Sequence, residues 1–151
     1  MSITLTPIGT VRCPVTEEID HGWGGIVSEI VLDEALAPGL VGLEQFSHAI
    51  IIYHMHQARF NPATDLQRRP RGRADMPLLG IFAQRPKHHP NSIGITAVEI
   101  VEVTGNIVKV KGLDAIDNTP VLDIKPYFPL FDRVEDARTP EWVDRLLQEY
   151  F

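Results

Sequence analysis

Apolar residues alternate with polar ones in short runs along this chain, and clusters of glycine, proline and aspartate separate the runs. A period of two is the signature of half-buried strands. Ile3 to Arg12 alternates and stops before Pro14, predicting a first strand, and the HGWGG turn at 21–25 delivers a second from Ile26 to Leu32. Asp33 to Leu43 mixes a possible helical turn with Pro38 and Gly39, so it reads as a crossover. Phe46 to Met55 is apolar enough for a central strand, and Leu78 to Ala83 reads as a buried one. Ile95–Val103 and Ile107–Lys111 flank Gly105-Asn106, a tight-turn signal. Near the end, Thr139 is expected to cap a helix with Pro140 at its first position and Trp142, Val143, Leu146, Leu147 and Tyr150 on its apolar face. Many strands, few helices and closely spaced turns predict a mainly β fold, a single small barrel, over a doubly wound α/β domain. Neither a G-x-G-x-x-G after a strand nor a P-loop is present.

Composition narrows this picture. The 151 residues, 44% hydrophobic and 23% charged, suit one globular domain. No apolar run approaches the roughly 20 residues of a spanning helix. MSITLTPIGT lacks a basic stretch followed by an apolar one, so no signal peptide is expected. A lone cysteine, Cys13, excludes an internal disulfide framework and fits a reducing cytoplasm. The net charge of −6 argues against indiscriminate affinity for polyanions. Yet seven of the fourteen Lys and Arg fall between Arg59 and His89, opposed there by Asp65 and Asp75 alone. The stretch 57–76, almost without apolar residues, is expected to be a long mobile loop. It is either a polyanion-steering patch or a solvated loop kept soluble by arginine.

Candidate chemistry concentrates in Gly80–Gly94, GIFAQRPKHHPNSIG. Pro86 and Pro90 stiffen its backbone around Gln84, Arg85, Lys87, His88, His89, Asn91 and Ser92. Stiff polar loops between strands are where sites are usually built. In the strand from Phe46, His48, Ile50, Ile52, His54 and His56 share one face and Ala49, Ile51, Tyr53 and Met55 the other. Three histidines on one face, with His88 and His89 beyond, invite a metal reading. No Asp or Glu stands at ligand spacing nearby, so a polar pocket or subunit interface is preferred and no metal is assigned.

Four stretches, PIGTVRCP, GLEQFSHAIIIYHMH, GIFAQRPKHHPNSIG and GLDAIDNTPVLDIKPYFP, occur in the order and spacing of one family. Through them the chain resembles the TrmO family, also called TsaA-like or YaeB-like, over nearly its whole length. The resemblance implies a single β-barrel, a homodimer, and S-adenosylmethionine bound near the subunit interface. It further implies methyl transfer to the exocyclic nitrogen of threonylcarbamoyl-adenosine next to the tRNA anticodon. Carried onto this sequence, it places cofactor contacts at Phe82, Ala83, Gln84, Arg85, His89, Asn91, Ile93, Leu113, Asp114 and Thr119. For the acceptor's proton, the candidates are Asp123, Lys125 and Tyr127 with help from Asn91; the alternative for Asp123–Lys125 is a structural ion pair. Arg59, Arg68, Arg69, Arg71 and Arg73 would meet tRNA. Gln84, His89, Ser92 and Asn118 depart from the family's usual Thr, Arg, Pro and Gly. Longer members continue into a further domain associated with holding tRNA, so two other readings stay open: a methyltransferase of small molecules, and a non-catalytic cofactor- or metal-binding module.

Overall fold

The computed structural model describes residues 1–151. Its strands are β1 (Gly9–Arg12), β2 (Val27–Leu32), β3 (His48–His54), β4 (Gln67–Arg68), β5 (Leu79–Gly80), β6 (Ile93–Thr104), β7 (Ile107–Lys111) and β8 (Pro120–Pro126). Six of them close into an antiparallel barrel in the order β1-β2-β7-β6-β3-β8, and β4 and β5 form a separate two-stranded ribbon. The predicted small β-barrel is the observed architecture. Closure removes most of the unpaired edges that a sheet of this size would otherwise expose, the first half of β6 excepted.

Alternation sets the core. Ala49, Ile51 and Tyr53 of β3 point inward, as do Ile30, Val98, Val108, Val110 and Val121 from its neighbours. His48 and His54 point outward, as the strand register predicts. In β8 the register slips at a bulge, where Ile52 faces Asp123 but Tyr53 faces Val121. The extra residue, Leu122, lets Val121 and Ile124 both reach the interior while Asp123 is turned out. Leu40 and Leu43, from the 3₁₀ segments Glu34–Leu40 and Leu43–Gln45, add to the core.

Three expectations need correcting. The first strand is Gly9–Arg12 only, because β8 reaches β1 at Gly9 and Thr10 and leaves Ile3 and Leu5 exposed. Leu78–Ala83 is not a buried strand: two residues pair with β4, then the chain turns into a 3₁₀ helix, Ile81–Ala83, burying Ile81 and exposing Phe82. Thr139 caps nothing; the last helix, a single turn at Trp142–Leu146, follows Glu141 without a side-chain cap.

The stretch 57–76 also differs from a mobile loop, because its polar groups bond to one another. The Asn61 side chain caps a helical turn (α1, Pro62–Asp65) by accepting from Ala63 N–H at 3.0 Å, and Asp65 accepts from Asn61 N–H at 2.7 Å. The Asn61 N–H first, and Arg68 at 3.0 Å after it, hold the Asp65 carboxyl below the usual carboxylate range. Met76 is buried, and its carbonyl accepts from Arg69 at 2.5 Å.

Candidate functional site

β6 is longer than its partners. Its first half, Ile93 to Val98, pairs with β3 alone, while β7 meets it only from Glu99 onward. The segment after β7 enters the gap this leaves and carries Asp114. The Asp114 carboxylate is the hub of the site. Its Oδ1 accepts from Tyr53 Oη at 3.1 Å and from Thr96 Oγ1, and its Oδ2 accepts from Tyr150 Oη at 2.5 Å. Tyr53 Oη also lies 3.3 Å from the Asp114 carbonyl and 3.4 Å from Thr96 Oγ1. Hydroxyls converging on a carboxylate make charge-assisted bonds, stronger than neutral ones. Burial, then the negative charge of Asp114, push the pKa of both phenols far above the ordinary tyrosine range.

Arg85 stands at the open edge of β6, where it donates through Nη2 to the Ile95 carbonyl at 3.0 Å and makes no ion pair. Its positive charge reaches Tyr53 and opposes the effect of Asp114 there. A guanidinium without an ion-pair partner and a carboxylate thus both act on Tyr53, opposite charges of the kind a zwitterion would meet. Phe82, largely exposed, lies edge-on to His89 with ring centroids 6.1 Å apart, and the His89 ring pairs through Nε2 with the Gln84 carbonyl at 3.0 Å. Ala83 is exposed beside them.

Not every expected contact faces this gap. Gln84 is buried and donates Nε2 to the Arg68 and Leu79 carbonyls at 2.8 and 3.1 Å, stitching the loop to the β4–β5 ribbon. Leu113 and Thr119 are core residues, the Thr119 hydroxyl donating to the Ile116 carbonyl at 2.7 Å. Asn118, the departure from glycine, holds a positive φ of 65° that an asparagine tolerates.

Asn91 and Ile93 instead line an open cavity of about 540 Å³ with His54, Arg59, Phe60 and Leu122. Asp123, next to Leu122, pairs with Lys125 at 2.9 Å on the exposed face of β8, and this bond raises the lysine's affinity for its proton. Tyr127 is half-buried, edge-on to His48 at 6.3 Å. The expected acceptor-side residues thus lie on the outer wall of the barrel, and the Asp114 hub lies within the gap.

The arginines are mostly engaged. Arg68 pairs with Asp65, Arg73 with Asp75 at 2.7 Å, and Arg71 with Asp20 at 3.7 Å. Arg59 and Arg69 donate only to carbonyls and carry unpaired charge. Nowhere do three histidine, cysteine or acidic side chains converge as a metal would require.

Residues 19–133 match the tRNA-methyltransferase O N-terminal domain. The chain belongs to the TrmO family. It is 36% identical over 155 residues to a probable S-adenosyl-L-methionine-binding protein of Pyrococcus abyssi, covering 96% of this chain and 78% of that protein. It is 37% identical over 101 residues to the human tRNA (adenine(37)-N6)-methyltransferase, covering 67% of this chain and 22% of the human protein. The crystal structure of TrmO from Pseudomonas aeruginosa superposes with a TM-score of 0.74 at 32% identity, covering 91% of this chain and 62% of that one. The chain therefore spans less than two-thirds of that solved TrmO.

Three contributors to the hub were not read from the sequence: Tyr53, Thr96 and, as a polar group, Tyr150. A signal existed for Tyr53, a phenol amid apolar strand residues, since a buried hydroxyl needs a partner. Tyr150 read as the apolar face of a helix and gave none.

Proposed function

We propose that this TrmO-family chain is an S-adenosylmethionine-dependent methyltransferase that methylates the exocyclic nitrogen of adenosine 37 in tRNA, where that base carries a threonylcarbamoyl group. The observation that carries the reading is that opposite charges, Arg85 and Asp114, both act on Tyr53 inside a chain of this family. These charges fit the carboxylate and ammonium of the cofactor's methionine end, and the exposed Phe82 ring offers a stacking face. The names of the Pyrococcus and human relatives support cofactor and acceptor respectively.

When bound, the cofactor supplies an electrophilic methyl group on a sulfonium. The protein's part is alignment, since in-line displacement is sensitive to sub-ångström placement, and removal of one proton from the acceptor nitrogen. The cavity beside the gap suits the acceptor: Phe60 offers a ring, Asn91 an amide, and Arg59 an unpaired cation for phosphate. Asp123, held by Lys125, is the nearby carboxylate that would take the proton. Arg59 and Arg69 are the tRNA-contacting arginines, because Arg68, Arg71 and Arg73 already have carboxylate partners. The outward face of β3 and β6, with Ile93 and Ile95 half exposed beside Ile50 and Ile52, suits a second copy of the chain.

The paired arginines and the net charge of −6 favour, as a second reading, a small-molecule acceptor on the same cofactor site. Calorimetric titration of S-adenosylmethionine, followed by transfer of labelled methyl to tRNA carrying threonylcarbamoyl-adenosine, tests both. Binding that Arg85→Ala weakens, with label in tRNA, is the expected result. Binding without label in any tRNA would remove the tRNA acceptor and leave the second reading.

A further inference from the structure

Tyr150 lies beyond residues 19–133, which match the domain model, yet its hydroxyl closes the Asp114 hub. The segment that brings it there, Glu149–Phe151, is held mainly by backbone. Gly22 N–H donates to the Glu149 carbonyl and Trp23 N–H to the Tyr150 carbonyl, both at 2.9 Å. The fit is close enough that a Cβ on Gly24 would stand 2.5 Å from the backbone carbonyl carbon of Phe151. Above the ring of Tyr150 sits the Arg71 guanidinium, 5.7 Å from its centroid. Glu149 is bent into a left-handed conformation, φ 62°, which residues other than glycine seldom hold. The segment is thus docked through few bonds and bent where it docks.

We propose that this segment is an internal plug: Tyr150 Oη stands at Asp114 where the ammonium of the cofactor's methionine end binds, and Glu149–Phe151 leaves the Gly22–Gly24 turn when the cofactor enters. This rests on the cofactor reading above. The chemistry is that of one acceptor and two competing donors. Tyr53 and Thr96 share Oδ1, so Oδ2 is the oxygen a ligand can reach, and Tyr150 covers it. An ammonium brings three donors and a full charge to that oxygen, and a phenol brings one donor and none. Binding then depends on the fraction of molecules whose plug is out, so loosening the plug raises apparent affinity with no change at Asp114 or Arg85.

Hydrogen exchange of the wild-type protein, with and without S-adenosylmethionine, reads the plug directly through the Gly22 and Trp23 amides. Calorimetry on Tyr150→Phe and Gly24→Ala reads its effect on affinity. The first variant deletes the hydroxyl, and the second forces the segment off from the opposite side. The expected result is loss of protection at both amides on binding, with each variant binding about tenfold tighter. Wild-type binding with both amides still protected, or variants that bind no tighter, would overturn the plug and leave the cofactor site standing. Absence of binding by all three proteins would overturn both. Binding by the variants but not by the wild type would be the strongest support, since the closed plug alone would then block the site.

Discussion

Gly94 faces Tyr53 across β6 and β3, and a Cβ on Gly94 would lie 2.3 Å from two atoms of the Tyr53 ring. The glycine is there for space rather than for backbone freedom. It lets the phenol lie flat across the strand and carry its hydroxyl to Asp114. Gly94→Ala must therefore push the ring away. The expected cost is about 1–3 kcal/mol of overpacking, read by denaturant unfolding, together with weaker cofactor binding as the hub opens. A variant with unchanged stability would mean that the ring moves freely and that the hub does not depend on it.

The barrel was legible because its strands alternate cleanly: β3 ran where Phe46–Met55 predicted, with the histidines outside and Tyr53 inside. What the sequence hid came from pairing length and polar self-bonding. Leu78–Ala83 looked like a strand, but only Leu79 and Gly80 find a partner, in Gln67 and Arg68. The stretch 57–76 looked mobile because it lacks apolar residues, yet Asp65, Asn61 and Arg69 order it through hydrogen bonds that periodicity cannot report. In the site, Arg85 and Asp114 were found through the family's motifs. Tyr150 was hidden because the docking of its segment depends on the turn at 22–24, far away in sequence.

Asp114→Asn keeps the shape and removes the charge. Tyr53, Thr96 and Tyr150 would share a neutral acceptor, and the new amide group would face hydroxyls already donating to it. A loss of about 1.5–3 kcal/mol is expected, typical of hydrogen bonds to a charged group. Thermal unfolding checks this. Equal stability of the variant and wild type would show that the charge contributes nothing to holding the hub.

Gln84 stands where the family pattern expects a threonine, and here its side chain has a structural role. Its amide bridges the Arg68 and Leu79 carbonyls, tying the site loop to the β4–β5 ribbon. Gln84→Ala removes a second donor from two carbonyls that the β4–β5 pairing already engages, at a cost of about 0.5–1.5 kcal/mol. Limited proteolysis should then cut first between Arg68 and Leu79. An unchanged cleavage pattern would place the ribbon's stability elsewhere.

Salt dependence separates the arginines by partner. Arg59 and Arg69 have no carboxylate to give up, so each can neutralise a phosphate at no internal loss. Replacing either with alanine should lower tRNA affinity and reduce the slope of log K against log salt by roughly 0.7–0.9 for each phosphate left unneutralised. Arg73→Ala frees Asp75, which also holds Arg145, and should disturb the last helix more than the salt slope. The reverse ordering, measured by filter binding across a salt series, would return the tRNA interface to the paired arginines.

The hub also fixes how stability varies with pH. Tyr53 and Tyr150 hold their protons more tightly when folded than the ordinary phenol value of about 10. A group that folding makes hold its proton more tightly stabilises fully below its unfolded pKa, and that contribution fades as pH rises above it. Stability should therefore fall from about pH 10 upward, and the ultraviolet signal of tyrosinate should miss two tyrosines until the fold opens. At the acid end Asp65, held low first by Asn61 N–H, and Asp75, held low first by Arg73, behave oppositely. Their contribution is present above about pH 4 and is lost as pH drops through their lower folded values. Melting temperature should thus be flat through neutrality and fall at both ends, and Tyr150→Phe should flatten part of the alkaline fall only. If that variant kept the full alkaline fall, Tyr150 would not be held at Asp114 in solution, and the plug would fail with it.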